Sequence, residues 1–141
     1  MVDIPKPLPL PDPGSEGFWT AAARHVLAVQ RCESCGRLAH PPVVVCPACL
    51  SPRAEFSFVP LSGHGRLATW TIMRDAFLPG FRTEIPWAIG EAELDDAPGV
   101  RMIARMIDGA DAAFEIGAPV TVVFEDVSDS VSLPLLKLVA S

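Results

Sequence analysis

The residues of this chain whose type and spacing most directly specify a chemistry are its four cysteines. They fall into two C-x-x-C pairs, Cys32-Glu33-Ser34-Cys35 and Cys46-Pro47-Ala48-Cys49, separated by ten residues. Each pair predicts a tight knuckle that aims two thiolates at one point. Two facing knuckles then complete a tetrahedral sulfur cage for a metal ion at ~2.3 Å per bond. Gly36, directly after the first pair, supplies the permissive backbone such a turn uses. The gap is shorter than the usual zinc-ribbon spacing, but it covers an out-and-back hairpin. The expected ligands are therefore Cys32, Cys35, Cys46 and Cys49, and the expected metal is zinc. With every position taken by protein, no site is left for water or substrate, so the ion's role is structural. Iron in the same four-sulfur geometry and redox cycling of one C-x-x-C pair are the competing readings.

The rest of the chain is poor in catalytic machinery. Once the cysteines are committed, no thiol remains as a nucleophile. The histidines are His25, His40 and His64, each structural or solvated in the first instance. His64 stands between Gly63 and Gly65, where a backbone can approach a ligand closely. There is no G-x-S-x-G elbow and no glycine-rich phosphate loop with its lysine. The carboxylates gather in turns such as Glu91 to Asp96, the pattern of a solvated surface. No catalytic residue is assigned, and the chain alone is not expected to be an enzyme. The segment Ala76-Phe77-Leu78-Pro79-Gly80-Phe81, followed by Arg82 and closed by Ile85-Pro86-Trp87, is unusually apolar for a connection. Either it folds over a barrel mouth, or it meets a partner, since aromatic residues with nearby arginines are what interface centres favour.

The elements that must position these groups are mostly strands. Half of the 141 residues are apolar, which is ample for a buried core, and fifteen prolines with ten glycines imply many turns and few long helices. Pro5, Pro7, Pro9, Pro11 and Pro13 alternate with other residues and predict an extended, polyproline-like arm over residues 1–14. Such an arm is either a loose terminus or a segment lying across a partner subunit. Ser15 is placed to cap a short helix running to about Arg24, with Phe18, Trp19, Ala22 and Ala23 as its apolar stripe. Val26 to Arg31 reads as a strand into the first knuckle, Leu38 to Val45 as the return, and Glu55 to Pro60 as a linking strand. Gly63-His64-Gly65 reads as a turn. Five further strands are then expected: Leu67 to Met73, Trp87 to Leu94, Val100 to Ile107, Val120 to Glu125, and Leu135 to Val139. Val100, Met102, Ala104 and Met106 alternate with Arg101, Ile103, Arg105 and Ile107, which gives that strand an inside and an outside. Five strands in some 75 residues suggest a small barrel of the OB architecture. The expected organisation is an arm over 1–14, helix and metal ribbon over 15–60, and barrel over 61–141.

Charge is unevenly spread. Residues 1–60 hold five acidic and five basic side chains, whereas residues 61–141 hold twelve acidic and six basic ones, so the formal charge of −6 belongs to the barrel half. Four thiolates around one divalent ion add further negative charge. A surface that follows a phosphate backbone is basic, so no nucleic-acid partner is expected. No run approaches the ~20 apolar residues of a membrane span, and Asp3, Lys6 and the prolines stand where a signal peptide would be apolar. No membrane partner and a cytoplasmic location are expected. In that reducing compartment, paired cysteines serve as metal ligands rather than disulfides.

These features together resemble the OB-fold and rubredoxin-like zinc-ribbon family of acyl-CoA-associated proteins. The resemblance runs from about Phe18 to Ala140. It is carried by Phe18-Trp19, by Gln30-Arg31-Cys32-Glu33-Ser34-Cys35-Gly36, by Pro41-Pro42 ahead of Cys46-Pro47-Ala48-Cys49, by Gly63-His64-Gly65 with Thr69-Trp70-Thr71, and by Gly117 to Phe124. It implies a mainly β fold: a short N-terminal helix, a rubredoxin-like zinc ribbon and a five-stranded OB-fold barrel. It also implies a non-catalytic accessory subunit that docks on a thiolase-fold dimer, such as a β-ketothiolase or an acyl-CoA side-chain-cleaving aldolase. Such a subunit supports the partner's active site and meets the CoA thioester through the complex, in lipid or aromatic acyl-CoA metabolism. The chain departs from the family at Val43-Val44-Val45, where relatives commonly carry a basic residue. His64, Arg74, Phe77, Phe81 and Arg82 become the candidate partner or CoA contacts, with the two arginines placed for an anionic ligand. A single-stranded nucleic-acid-binding module and a small subunit of a multicomponent acyltransferase are the alternatives.

Overall fold

The computed structural model describes residues 5–140; residues 1–4, the start of the expected arm, lie outside the described residues. Residues 5–12 carry neither helix nor strand, as their alternating prolines require. The first element is helix α1, Glu16–Ala23. Its entry differs from expectation, because Ser15 occupies the cap position but makes no side-chain hydrogen bond into the helix. Its hydroxyl is instead used in the preceding turn, accepting from the Asp12 N–H at 3.1 Å. Asp12 does the capping from three residues back: its Oδ1 accepts from Ser15 N at 2.7 Å and its carbonyl from Glu16 N at 2.8 Å. The helix exit is a Schellman arrangement, with Val26 N donating to Ala21 O and His25 N to Ala22 O. His25 takes the left-handed backbone at φ 60 that this exit demands. Its ring stacks on Phe124 at 5.5 Å, and Nε2 lies 2.7 Å from Asp126 Oδ1, so the helix end is clasped to the barrel.

The next strands, β1 (Leu27–Cys32), β2 (Leu38–Ala39) and β3 (Phe56–Leu61), form an antiparallel sheet in the order β2-β1-β3. One expectation changes in this sheet. The return strand stops at Ala39, because Pro41 and Pro42 remove the donors that would continue the ladder. The strand expected over Glu55 to Pro60 is present as β3, and it pairs with β1 from Cys32↔Phe56 to Leu27↔Leu61. Where the return strand is missing, a side chain replaces it. Buried Gln30 donates from Nε2 to Val43 O at 2.9 Å and accepts from Val43 N at 2.8 Å, so one amide satisfies both backbone groups.

Only Ser62 and Gly63 separate β3 from the barrel, whose strands are β4 (His64–Met73), β5 (Trp87–Leu94), β6 (Arg101–Gly109), β7 (Pro119–Asp126) and β8 (Ser132–Leu138). The barrel closes in the order β4-β5-β6-β8-β7, with β6 and β8 parallel and every other pair antiparallel. This is the five-stranded OB barrel. The expected Gly63-His64-Gly65 turn is confined to Gly63, at φ 83, because His64 and Gly65 already pair with Thr121 and Val120 of β7. A register shift between Leu67 and Thr69 bends β4, so its first residues serve β7 as well as β5 while the rest pairs with β5 alone.

The barrel core holds Leu67, Ala88, Ala92, Met106, Val120 and Leu136, the inward set of each strand. The alternation in β6 holds, with Met102 and Met106 buried and Ile103 and Ile107 outside. A second core joins helix and ribbon to the barrel through Phe18, Leu27, Val29, Leu94, Ala97 and Met102. Gly65 marks the tightest contact of β4 with β5, since a Cβ there would lie 2.5 Å from the Glu93 carbonyl oxygen. Backbone cannot move aside as a side-chain tip does, so Gly65→Ala is expected to cost about 1–3 kcal/mol. It should lower the urea midpoint at unchanged slope; an unchanged midpoint would contradict the pairing of Gly65 with Leu94.

Candidate metal centre and docking loop

The sulfur cluster is built by the two ends of the ribbon. Cys32 is the last residue of β1, and Cys35 follows across a turn that closes with Gly36 N donating to Cys32 O at 2.7 Å. The second knuckle repeats the bond, with Leu50 N donating to Cys46 O at 3.0 Å. The residue after each pair is left-handed, Gly36 at φ 79 and Leu50 at φ 53. Glycine adopts that backbone freely, whereas leucine does so at a cost of roughly 1–2 kcal/mol, so the second knuckle is held by something stronger than local preference. Cys32 and Cys46 are buried, Cys35 and Cys49 exposed, and all four sulfurs lie within 4.8 Å of one another.

Distances and charge both fit a four-sulfur metal site. Cys32 Sγ is 3.7 Å from Cys49 Sγ, and Cys35 Sγ is 3.7 Å from Cys46 Sγ. That is far beyond a disulfide, at ~2.05 Å. It matches the edge of a tetrahedron with bonds of ~2.3 Å, which is about 3.8 Å. The backbone N–H groups of Cys49 and Ala48 pull the Cys46 thiol down to about 6. Cys35 goes the other way, to about 11: the Arg37 N–H lowers it, but burial and the crowding of Cys46, Cys32 and Cys49 outweigh that bond. The backbone dipoles favour a thiolate at Cys46, while burial and the neighbouring sulfurs resist one at Cys35. A divalent cation at the centre removes that resistance, because each thiolate then faces opposite charge.

Known families and structures share this architecture. A model of the ChsH2 rubredoxin-like zinc ribbon domain matches residues 19–55, and one of the ChsH2 C-terminal OB-fold domain matches residues 58–125. The chain belongs to this ChsH2, or DUF35, family. A chain of the Ltp2-ChsH2(DUF35) aldolase has a TM-score of 0.78 and 26% identity to it, covering 93% of this chain and 98% of that one. A DUF35 domain-containing scaffold protein of Methanocaldococcus jannaschii is 29% identical over 106 residues, which is 75% of this chain and 72% of that protein. A probable enoyl-CoA hydratase alpha subunit of Thermomonospora curvata is 30% identical over 121 residues, or 85% of this chain; these span only 36% of that longer relative.

In this DUF35 chain the other candidate residues do not converge on one point. His64 is exposed at the start of β4, on the β7 side of the barrel. Arg74 and Arg82 are exposed at the two ends of the apolar segment. That segment does not plug the barrel. Ala76 is buried, but Phe77 is 88% and Leu78 58% exposed, and with Phe81 and Trp87 they flank a shallow cleft of about 190 Å³. Two more apolar residues project from the outer face of β6, Ile103 and Ile107. Two features of the site had no signature in the sequence. The Gln30 clamp resembles any polar residue in a strand, and the partners of the loop residue Glu84, namely Lys6 and Arg105, are remote in the chain. The purified chain is expected to retain a single metal ion per molecule through dialysis, measured by elemental mass spectrometry. Cys46→Ser is expected to lose the ion and the amide protection of β1 and β3 together; a metal-free chain with a protected ribbon would contradict the site.

Proposed function

We propose that this chain is the non-catalytic accessory subunit of an acyl-CoA enzyme, docking on a thiolase-fold dimer through the connection between β4 and β5. The observation that carries this reading is the exposed Phe77–Leu78 apex on a chain whose every cysteine is gathered in one closed cluster. Thiolase chemistry needs a reactive thiol, which the partner would have to supply. The relatives support the same direction, one being named a scaffold protein and another a chain of an aldolase complex. The name of the Thermomonospora curvata relative supports an acyl-CoA context, with a β-ketothiolase or a side-chain-cleaving aldolase as the partner. Zinc, bound by Cys32, Cys35, Cys46 and Cys49, is the metal this reading assigns, in a structural role and in a reducing, cytoplasmic setting. Arg74, Arg82 and His64 are contacts of the partner or of its CoA thioester, and Phe77 and Phe81 the apolar anchors.

The nucleic-acid alternative calls for a groove of unpaired cations. On the outer face of β6, Arg101 is paired with Glu91 at 3.0 Å and Arg105 with Glu84 at 3.1 Å, and the barrel half carries the net negative charge. An acyltransferase partner would use the same docking surface, so the partner and not this chain selects between synthesis and cleavage.

Co-expression with a thiolase-fold aldolase subunit is expected to give a stable hetero-oligomer that cleaves its acyl-CoA substrate, while the chain alone has no activity. Phe77→Asp is expected to weaken that complex by roughly 30-fold or more, the loss of ~2 kcal/mol that marks an interface hot spot. Activity from the lone chain, or binding indifferent to Phe77→Asp, would contradict the proposal.

A further inference from the structure

The docking loop is held by very little backbone. Among the described residues, the connection from Arg74 to Pro86 contains a single backbone hydrogen bond besides those of the strands, Glu84 N to Phe81 O at 3.0 Å. Its shape depends on side chains instead. Glu84 receives two cations: Lys6 Nζ at 2.5 Å on Oε1 and Arg105 Nη1 at 3.1 Å on Oε2. Each cation also lies against an aromatic ring. Lys6 Nζ is 5.4 Å from the centroid of Phe81, and the Arg105 guanidinium is 5.0 Å from that of Trp87. The two rings meet each other at 5.7 Å. Lys6, Phe81, Trp87, Arg105 and Glu84 therefore close a ring of contacts, with members from the arm, the loop, β5 and β6. The two cations hold the Glu84 carboxyl below the usual carboxylate range, Lys6 having the larger effect.

Lys6 is the member that comes from outside the barrel. It is the only basic residue in positions 5–15, and it stands between Pro5 and Pro7. Among the described residues, no backbone hydrogen bond ties residues 5–11 to the body of the protein. The lysine side chain is thus the arm's polar anchor. Prolines on both sides stiffen the arm, so less freedom is lost when the lysine is immobilised. Taken singly, a solvent-exposed ion pair or cation–ring contact shifts an equilibrium only a few-fold. In a closed ring each contact holds the geometry of the next, and Phe81 and Glu84 are fixed together.

We propose that Lys6 is a positioning residue for the docking loop, and that the proline-alternating arm is a strap that holds the Phe77–Leu78 apex in the shape that meets the partner. This rests on the docking function proposed above, and it adds a role for the arm that neither the metal nor the barrel supplies. The strap acts before any partner arrives, by narrowing the conformations the loop samples. A loop already held in its bound shape loses less freedom on association.

Hydrogen exchange read by mass spectrometry on the full-length, metal-loaded chain tests this without the partner. Lys6→Gln is expected to speed exchange of the Glu84 amide, the one backbone-bonded amide of the loop, by about threefold or more, the effect of losing a surface ion pair of typical strength. Lys6→Arg, which keeps a cation for both Glu84 and Phe81, is expected to exchange like the parent. Glu84→Gln, which releases both cations, is expected to exchange at least as fast as Lys6→Gln. In all three variants the zinc-ribbon peptides should be unchanged. Equal exchange in parent and Lys6→Gln would overturn the strap, as would Lys6→Arg behaving like Lys6→Gln. If Phe77→Asp abolishes the complex while Lys6→Gln leaves loop exchange unaltered, the strap fails and the docking function stands.

Discussion

Four sulfur atoms within 4.8 Å of one another is the constraint on which the rest of this structure depends. As thiols they crowd, and as thiolates they repel: the Arg37 N–H lowers the Cys35 thiol, but burial and its three sulfur neighbours push it up. A divalent ion held there would turn that repulsion into attraction at all four thiolates. Structural zinc sites contribute on the order of 10–16 kcal/mol, which equals or exceeds the ~5–15 kcal/mol by which a whole domain is stable. The residues between the knuckles have little else to hold them. Past Ala39 the return strand is gone, the Gln30 amide stands in for two ladder bonds, and Leu50 keeps a left-handed backbone that leucine disfavours.

The brace does not stop at the ribbon. The strand that ends at Cys32 pairs along its whole length with β3, and β3 runs through Ser62 and Gly63 into the first barrel strand. Ser62 N donates to Asp96 Oδ2 at 2.6 Å, which fixes the junction to the turn between β5 and β6. The shared core of Phe18, Val29, Leu94 and Met102, together with the His25–Asp126 clasp, ties helix, ribbon and barrel into one body. The loop between β4 and β5, by contrast, is shaped mainly by side chains. A rigid scaffold with one apolar, side-chain-shaped loop is the arrangement expected of a subunit that positions something else.

Much of this was legible in the residues. Two C-x-x-C pairs specify a site because the ligands are local to each turn, and β6 announces itself by alternation, as Met102 and Met106 against Ile103 and Ile107 show. The failures are equally physical. Ser15 has the composition of a cap, but Asp12 competes for the same turn and takes it, which only the backbone geometry decides. Gly63-His64-Gly65 looks like a turn, yet Gly65 lets β4 pass so close to β5 that a Cβ would sit 2.5 Å from the Glu93 carbonyl oxygen. The contacts of Lys6 with Glu84, 78 positions away, leave no periodic trace. Local chemistry is written in spacing; long-range pairing of single side chains is not.

A metal centre closed by four sulfurs leaves no coordination position for a substrate. Zinc K-edge X-ray absorption of the purified chain measures that closure directly. Four sulfur neighbours at ~2.3 Å, with no nitrogen or oxygen in the first coordination sphere, is the expected result. A spectrum requiring an oxygen or nitrogen ligand alongside fewer than four sulfurs would show an open metal site, and the assignment of this chain as a brace would be wrong.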